Sequence, residues 1–190
     1  MKVCLYFSPS LPVDSMRQFL CVHHTADQSP TSQYQKTYAY HDSGADGRFP
    51  PDHGIQYHFL IEKSGAAIQG PPLDKVLWHA DSIEWNEKAM AVCLAGDFTF
   101  QTPTEEQLSA LYSCWKNLQF PHVVYHKEVR PEPTQCPGTF LFREELERRH
   151  KLDLLQQLKN AEHAFPRLQG TVRGSMLARL IQRLKSILIP

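Results

Sequence analysis

A chain of 190 residues, 42% of them hydrophobic, can bury one good core but is short for two large independent domains. Its 20 basic and 20 acidic residues cancel, so no overall charge would draw the protein to nucleic acid, and we expect no nucleic-acid partner. The five cysteines show no CxxC spacing, and Cys21 and Cys93 lie in apolar runs, which argues against a disulfide framework.

The first half of the chain predicts a strand, a helix and a hairpin. The apolar run at 18–24 (QFLCVHH) is typical of a short strand, and this one ends in two histidines. A polar stretch after it favours a helix, and a loop rich in Gly, Asp and Pro follows at 42–54. The segments 57–63 and 66–70 flank a Ser-Gly turn and together predict a hairpin.

The second half predicts two more strands with a helix between them. The apolar runs at 90–96 and 122–126 have strand length. Between them, Thr102 is the expected N-cap of a helix, with Glu105 three residues later completing a capping box. Apolar residues then recur at helical spacing from Leu108, which predicts a helix that packs on a sheet.

These elements predict an α/β fold with a single mixed central sheet flanked by helices, followed by a charged helical extension. The tail at 175–189 has an apolar face and a basic face. One interpretation is a helix packed on the domain or on a second copy of it. The other is a helix that contacts a membrane surface.

Candidate metal ligands follow the predicted strands. His23 and His24 end one strand, His126 ends another, and Cys136 stands in a Pro-rich loop. Strand ends and adjoining loops are places where a rigid sheet can hold ligands from distant parts of a chain. Because side chains alternate across a strand, only one of the two adjacent histidines can reach a shared metal.

Six stretches carry a resemblance that covers residues 18–145. They are VHHTA (22–26), GIQYHFLIEKSG (54–65), LWHAD (77–81), WNEKAMAVCLAGDF (85–98), PTEEQLSAL (103–111) and YHKEVRPEPTQCPG (125–138). In this order they resemble the N-acetylmuramoyl-L-alanine amidases of the peptidoglycan recognition protein and phage lysozyme type.

The resemblance implies a catalytic Zn²⁺ held by His23, His126 and Cys136. It implies catalytic roles for Tyr57, which would orient water or hydrogen-bond the substrate carbonyl, and for Thr134, which stands where some members have a lysine. Four further positions are expected to lie behind the ligands or in the substrate groove: His24, His58, His79 and Asn86.

The activity implied is hydrolysis of the amide between N-acetylmuramic acid and L-alanine in peptidoglycan or a muropeptide. A phage-type lysin and a cell-wall recycling enzyme both fit, and the alternative is a module of the same fold that binds muropeptides without cutting them. The expected domains are an extension at 1–17, an amidase domain at 18–150 and a helical extension at 151–190.

The N-terminus bears on where the protein acts. Its apolar run of five residues (VCLYF) is too short for the apolar region of a signal peptide. We therefore expect a protein made in the cytoplasm, which would reach the cell wall only after release.

Overall fold

The computed structural model describes residues 17–30, 32–43, 54–120, 122–168 and 172–188. It divides the chain into two compact units, with the division between Phe142 and Arg143. The boundary predicted between 150 and 151 falls inside a continuous helix and stays a prediction. Predicted features at 1–16 and 44–53, with Cys4 among them, lie outside the described residues.

The first unit contains a sheet with helices between and after its strands. In chain order the elements are β1 (Phe19–His24), α1 (Gln33–Asp42), β2 (Phe59–Ile61), β3 (Ala67–Gln69), α2 (Ile83–Lys88), β4 (Ala89–Leu94), α3 (Glu105–Leu118), β5 (His122–Tyr125) and α4 (His126–Val129). The helix α5 (Phe142–Leu168) begins where this unit ends.

Within the described residues, five strands form one sheet in the order β3-β2-β4-β1-β5. The pairs β2 with β4, β4 with β1 and β1 with β5 are parallel, whereas the hairpin of β2 and β3 is antiparallel. The sheet is therefore mixed, and the predicted fold class is confirmed. Central parallel strands are covered on both faces, and every residue of β4 is accordingly buried.

The helix α3 packs through the apolar face that its periodicity predicts. Leu108, Leu111 and Leu118 are buried on this face. Its start differs from the prediction: the capping box joins Thr104 and Gln107, not Thr102 and Glu105. The Thr104 hydroxyl also donates to the carbonyl of Lys63 at 2.8 Å, and this tertiary contact favours the later threonine as the cap.

The second unit contains the rest of α5 and the helix α6 (Val172–Leu188). Leu158 of α5 and Leu184 of α6 are buried together, with Ile181 packed against them. An ion pair of 3.0 Å joins Lys185 to Glu162. None of the helices in the described part of the chain combines the length and the apolar character needed to cross a bilayer.

Candidate metal centre

Three donor atoms from distant parts of the chain meet at one end of the sheet. The ligating atoms of His23, His126 and Cys136 all lie within 4.8 Å of one another. Nδ1 of His23 is 3.9 Å from Sγ of Cys136, and the ring centroids of His23 and His126 are 4.4 Å apart. Two imidazoles and one thiolate form a donor set that suits zinc.

The sheet explains why the two histidines meet. Strands β1 and β5 are parallel neighbours, and Val22 pairs with Tyr125 in their register. His23 and His126 each follow that pair by one residue. His126 also begins α4, whose first turn is held by a hydrogen bond of 2.9 Å from the Tyr125 amide to the Glu128 carboxylate.

Cys136 reaches the same place because its loop is tied back to α4. The Lys127 amide donates to the carbonyl of Cys136 at 2.8 Å, and the Lys127 ammonium donates to the carbonyl of Gly138 at 2.8 Å. Gly138 has a φ of 98°, and a Cβ there would lie 2.3 Å from the Phe98 carbonyl carbon. The loop therefore needs glycine at this position to pack against 98–99.

The electrostatic setting also fits metal binding. Burial, followed by the neighbouring imidazole of His126, holds the pKa of His23 well below its usual range, so the ring is neutral near pH 7. Burial raises the pKa of the Cys136 thiol to about 12, and the His24 amide opposes this shift by donating to Sγ at 3.3 Å. A metal that binds here must displace the thiol proton.

A second group of donors shares His23 but is enclosed. Among the described residues, Cys21, His23 and His79 also place their donor atoms within 4.8 Å of one another. Cys21 and His23 have no exposed surface, and His79 is 6% exposed. Cys136 and His126 are both partly exposed. A catalytic metal needs a position that is open to water, and this requirement favours the group with the two partly exposed residues.

The residues expected behind the ligands divide into two kinds. His79 lies directly behind His23, with its Nδ1 3.1 Å from Nε2 of His23. The side chain of Asn86 holds this segment, since Oδ1 accepts the amides of His79 at 3.0 Å and Ala80 at 2.9 Å. The structure therefore joins these two residues to the candidate ligands.

His24 and His58 instead hold backbone segments. The His24 imidazole accepts from the Phe98 amide at 3.2 Å. The backbone of His24 faces Cys136, with its amide 3.3 Å and its carbonyl oxygen 4.0 Å from Sγ. The His58 imidazole accepts from the Ala91 amide at 3.0 Å and lies 3.0 Å from the Lys75 carbonyl. Both rings thus fasten the elements around the centre.

The Tyr57 ring lies beside His23 and His41. Its centroid is 5.1 Å from that of His23 and 5.4 Å from that of His41. Burial and the neighbouring Cys136 raise the pKa of the Cys93 thiol, and a hydrogen bond with Tyr57 opposes them. The phenol is thus held beside His23 by a hydrogen bond with a fully buried thiol.

Thr134 stands at the entrance of the ligand loop. Its Oγ1 accepts the Cys136 amide at 3.2 Å, which fixes the turn that carries the thiol. The hydroxyl retains one hydrogen to donate. Thr134 is partly exposed, so this hydrogen is accessible to a ligand.

A cavity of about 320 Å³ adjoins Tyr57. Its walls come from the end of β1, the helix α1 and the segment before β2. The lining residues are Thr25, Asp27, Gln33, Lys36, Thr37, Tyr40, His41 and Tyr57. Tyr57 therefore links the candidate metal centre to a concave surface whose lining is both polar and apolar.

Comparison with known proteins places the chain in a family. Residues 14–139, more than half of the chain, match the family model Amidase_2, described as N-acetylmuramoyl-L-alanine amidase. The chain belongs to this amidase family. No match was found among curated protein sequences.

Solved structures of the amidase family share the fold. The amidase LysC from Clostridium intestinale URNW is 28% identical, with a TM-score of 0.58, over 70% of this chain and 85% of that one. Wild-type Drosophila PGRP-LB is 23% identical, with a TM-score of 0.54, over 67% and 78% of the two chains. A tyrosine mutant of Drosophila PGRP-LB, solved in complex with tracheal cytotoxin, is also similar to this chain. It is 22% identical, with a TM-score of 0.54, over 67% of this chain and 79% of that one.

Sequence reasoning missed the part of the candidate site that α1 contributes. Lys36, Tyr40 and His41 line the cavity, and Lys36 pairs with Asp27 at 2.5 Å. A signal was present, because residues 33, 36, 37, 40 and 41 share one helical face and are all polar or aromatic. A polar helix face that lines a cavity is a candidate substrate wall.

Proposed function

We propose that this protein is a zinc-dependent N-acetylmuramoyl-L-alanine amidase that hydrolyses the amide joining N-acetylmuramic acid to L-alanine. The observation that carries the proposal is the convergence of His23, His126 and Cys136 at the carboxyl ends of β1 and β5. Tyr57, which lies beside His23, also lines the cavity. Membership of the amidase family and similarity to the amidase LysC support the same reaction.

The three ligands and the residues around them have separable tasks. When bound, zinc supplies Lewis-acid polarisation of the scissile carbonyl and lowers the pKa of water at the site. The Tyr57 ring lies beside His23, and its hydroxyl would steady the reacting carbonyl oxygen. Thr134 supplies a second, neutral hydrogen-bond donor from the loop that carries Cys136.

The cavity fits an extended polar substrate such as a muropeptide. Its wall presents the Lys36 ammonium, the Asp27 carboxylate and the hydroxyl of Tyr40. These groups can pair with the carboxylates, amides and amines of a stem peptide. The complex of PGRP-LB with tracheal cytotoxin provides a structural parallel for a ligand on this fold.

The test is mass spectrometry of intact peptidoglycan and of a soluble muramyl peptide after incubation with the full chain, each with and without a chelator. We expect chelator-sensitive release of stem peptides that begin with a free L-alanine amine. Faster release from intact wall would indicate a lysin, and faster release from the soluble fragment a recycling enzyme. If zinc binds and neither substrate is cut, the protein is a muropeptide-binding module of the same fold.

The helix α6 supports a further proposed contact, with an anionic membrane surface. Part of its predicted apolar face packs on α5, but Met176 is 63% exposed and Leu180 42% exposed. Arg179 and Arg183 are exposed beside them, and α6 contains no acidic residue. Apolar side chains among cations are typical of helices that lie in a membrane interface.

Sedimentation with vesicles tests this contact in the full chain. With vesicles that contain phosphatidylglycerol, we expect the double variant Arg179→Glu/Arg183→Glu to bind about tenfold more weakly or worse. The matched control is Lys151→Glu/Lys159→Glu, which makes the same charge change at exposed positions of α5. Equal losses in the two variants, or equal wild-type binding to neutral vesicles, would contradict the proposal.

A further inference from the structure

The two ring nitrogens of His23 face different partners. Nδ1 lies 3.9 Å from Sγ of Cys136, on the side of the candidate metal ligands, and Nε2 lies 3.1 Å from Nδ1 of His79. A neutral imidazole carries one proton, on one of its two nitrogens. The position of that proton decides which nitrogen keeps a lone pair.

The contact with His79 admits two arrangements. If His23 donates from Nε2, Nδ1 keeps its lone pair on the side of Cys136 and can bind a metal. If His79 donates instead, the proton of a neutral His23 must stand on Nδ1, which then faces the thiol and cannot ligate. Only the first arrangement is compatible with the proposed function.

His79 is held so that its Nδ1 stays aimed at His23. Both residues are buried, and their rings meet edge to face with centroids 5.1 Å apart. The backbone of His79 is fixed by Asn86, which is fully buried in α2 immediately before β4. Since β4 pairs with β1 along its whole length, Asn86 and His23 are anchored to adjacent strands.

We propose that His79 and Asn86 are positioning residues for the metal: the Nδ1 of His79 accepts the Nε2 proton of His23, and Asn86 holds His79 in register for that hydrogen bond. The inference rests on the proposed function for the use of His23 as a ligand. It assigns a specific task to His79, which is to select the tautomer of His23 before any metal arrives.

The first test needs no metal. In metal-free protein with ¹⁵N-labelled histidine, NMR distinguishes protonated from unprotonated ring nitrogens. We expect His23 to carry its proton on Nε2 in the wild type. A proton on Nδ1 of His23 in the wild type would overturn the proposal, whatever the protein does to peptidoglycan.

The second test compares two substitutions at position 79. In His79→Asn, the side-chain oxygen can stand near the former Nδ1 and accept the same proton, whereas His79→Leu has no acceptor. We expect His79→Leu to weaken zinc binding about 10- to 100-fold and His79→Asn to stay within about threefold of the wild type. Competition with a chromophoric chelator measures both affinities.

A merely structural role for His79 predicts a different pattern. Both substitutions would then lower the melting temperature of the metal-free protein, and their zinc affinities would fall together. That result, or wild-type zinc affinity in His79→Leu, would overturn the proposal. If the wild type binds zinc with the expected tautomer but cuts no muropeptide, the proposed function fails and the positioning role stands.

Asn86 is tested through its accepting oxygen. Asn86→Leu removes the acceptor for the amides of His79 and Ala80, and Asn86→Asp keeps one. We expect Asn86→Leu to raise the fraction of His23 protonated on Nδ1 and to weaken zinc binding, with Asn86→Asp closer to the wild type in both. An unchanged tautomer in Asn86→Leu would remove Asn86 from the proposal.

Discussion

The Cys136→Ser variant is expected to bind zinc about a thousandfold more weakly than the wild type and to lose amidase activity when zinc is limiting. Serine is similar in size to cysteine and keeps the loop geometry, including the hydrogen bond from the backbone amide of residue 136 to Oγ1 of Thr134. Its hydroxyl, however, gives up its proton far less readily than a thiol and is a poor zinc ligand. The measurements are metal content after dialysis against chelator and zinc affinity by competition.

Cys114→Ser is the matched control for this prediction. Burial alone raises the pKa of Cys114 to about 12, the same value as for Cys136, but Cys114 lies in α3 and belongs to neither donor group. We expect it to keep its zinc with a modest loss of stability. If Cys136→Ser retains zinc and Cys21→Ser loses it, the metal belongs to the enclosed group of Cys21, His23 and His79 instead.

The order of the strands explains how far the metal centre could be predicted. Apolar runs at 18–24 and 122–126 predicted that His23 and His126 stand at strand ends, but periodicity gives no strand order. In the structure His126 directly follows β5 and begins α4. The structure places β1 and β5 side by side and in parallel, so their carboxyl ends coincide. The family resemblance supplied the pairing that the apolar pattern lacks.

Contacts made across the fold were beyond prediction from local pattern. Thr102 and Thr104 flank the same proline, and only the contact of Thr104 with Lys63 in the hairpin selects the cap. The relation of His79 to His23 likewise depends on how α2 joins β4. A pattern of residue types identifies an element, whereas its partners depend on tertiary packing.

The amphipathic pattern of α6 shows the same limit. The sequence predicts one apolar face that includes Met176, Leu180 and Leu184. In the structure Leu184 is buried with Leu158, while Met176 and Leu180 are exposed. The apolar face of α6 is wider than the surface that α5 can cover, so part of this face is left to solvent or to another surface.

Tyr57→Phe is expected to lower kcat by about 10²- to 10³-fold, the usual loss when one oxyanion-type donor is removed. Phenylalanine keeps the ring contacts with His23 and His41, so zinc affinity should remain within about threefold of the wild type. Steady-state kinetics on a soluble muramyl peptide, together with zinc competition, measure the two effects separately. The matched control is Tyr112→Phe. This substitution also removes a phenolic hydroxyl, but Tyr112 lies on α3 and does not line the cavity.

The Tyr57 hydroxyl has one competing structural task, its hydrogen bond with Cys93. If that bond were its whole role, Tyr57→Phe would lower the melting temperature and leave kcat unchanged. A large fall in kcat, with little change in zinc affinity or melting temperature, would instead indicate that the hydroxyl contacts the reacting carbonyl. This pattern separates chemistry from metal binding, because Cys136→Ser changes zinc affinity first and Tyr57→Phe changes only the rate.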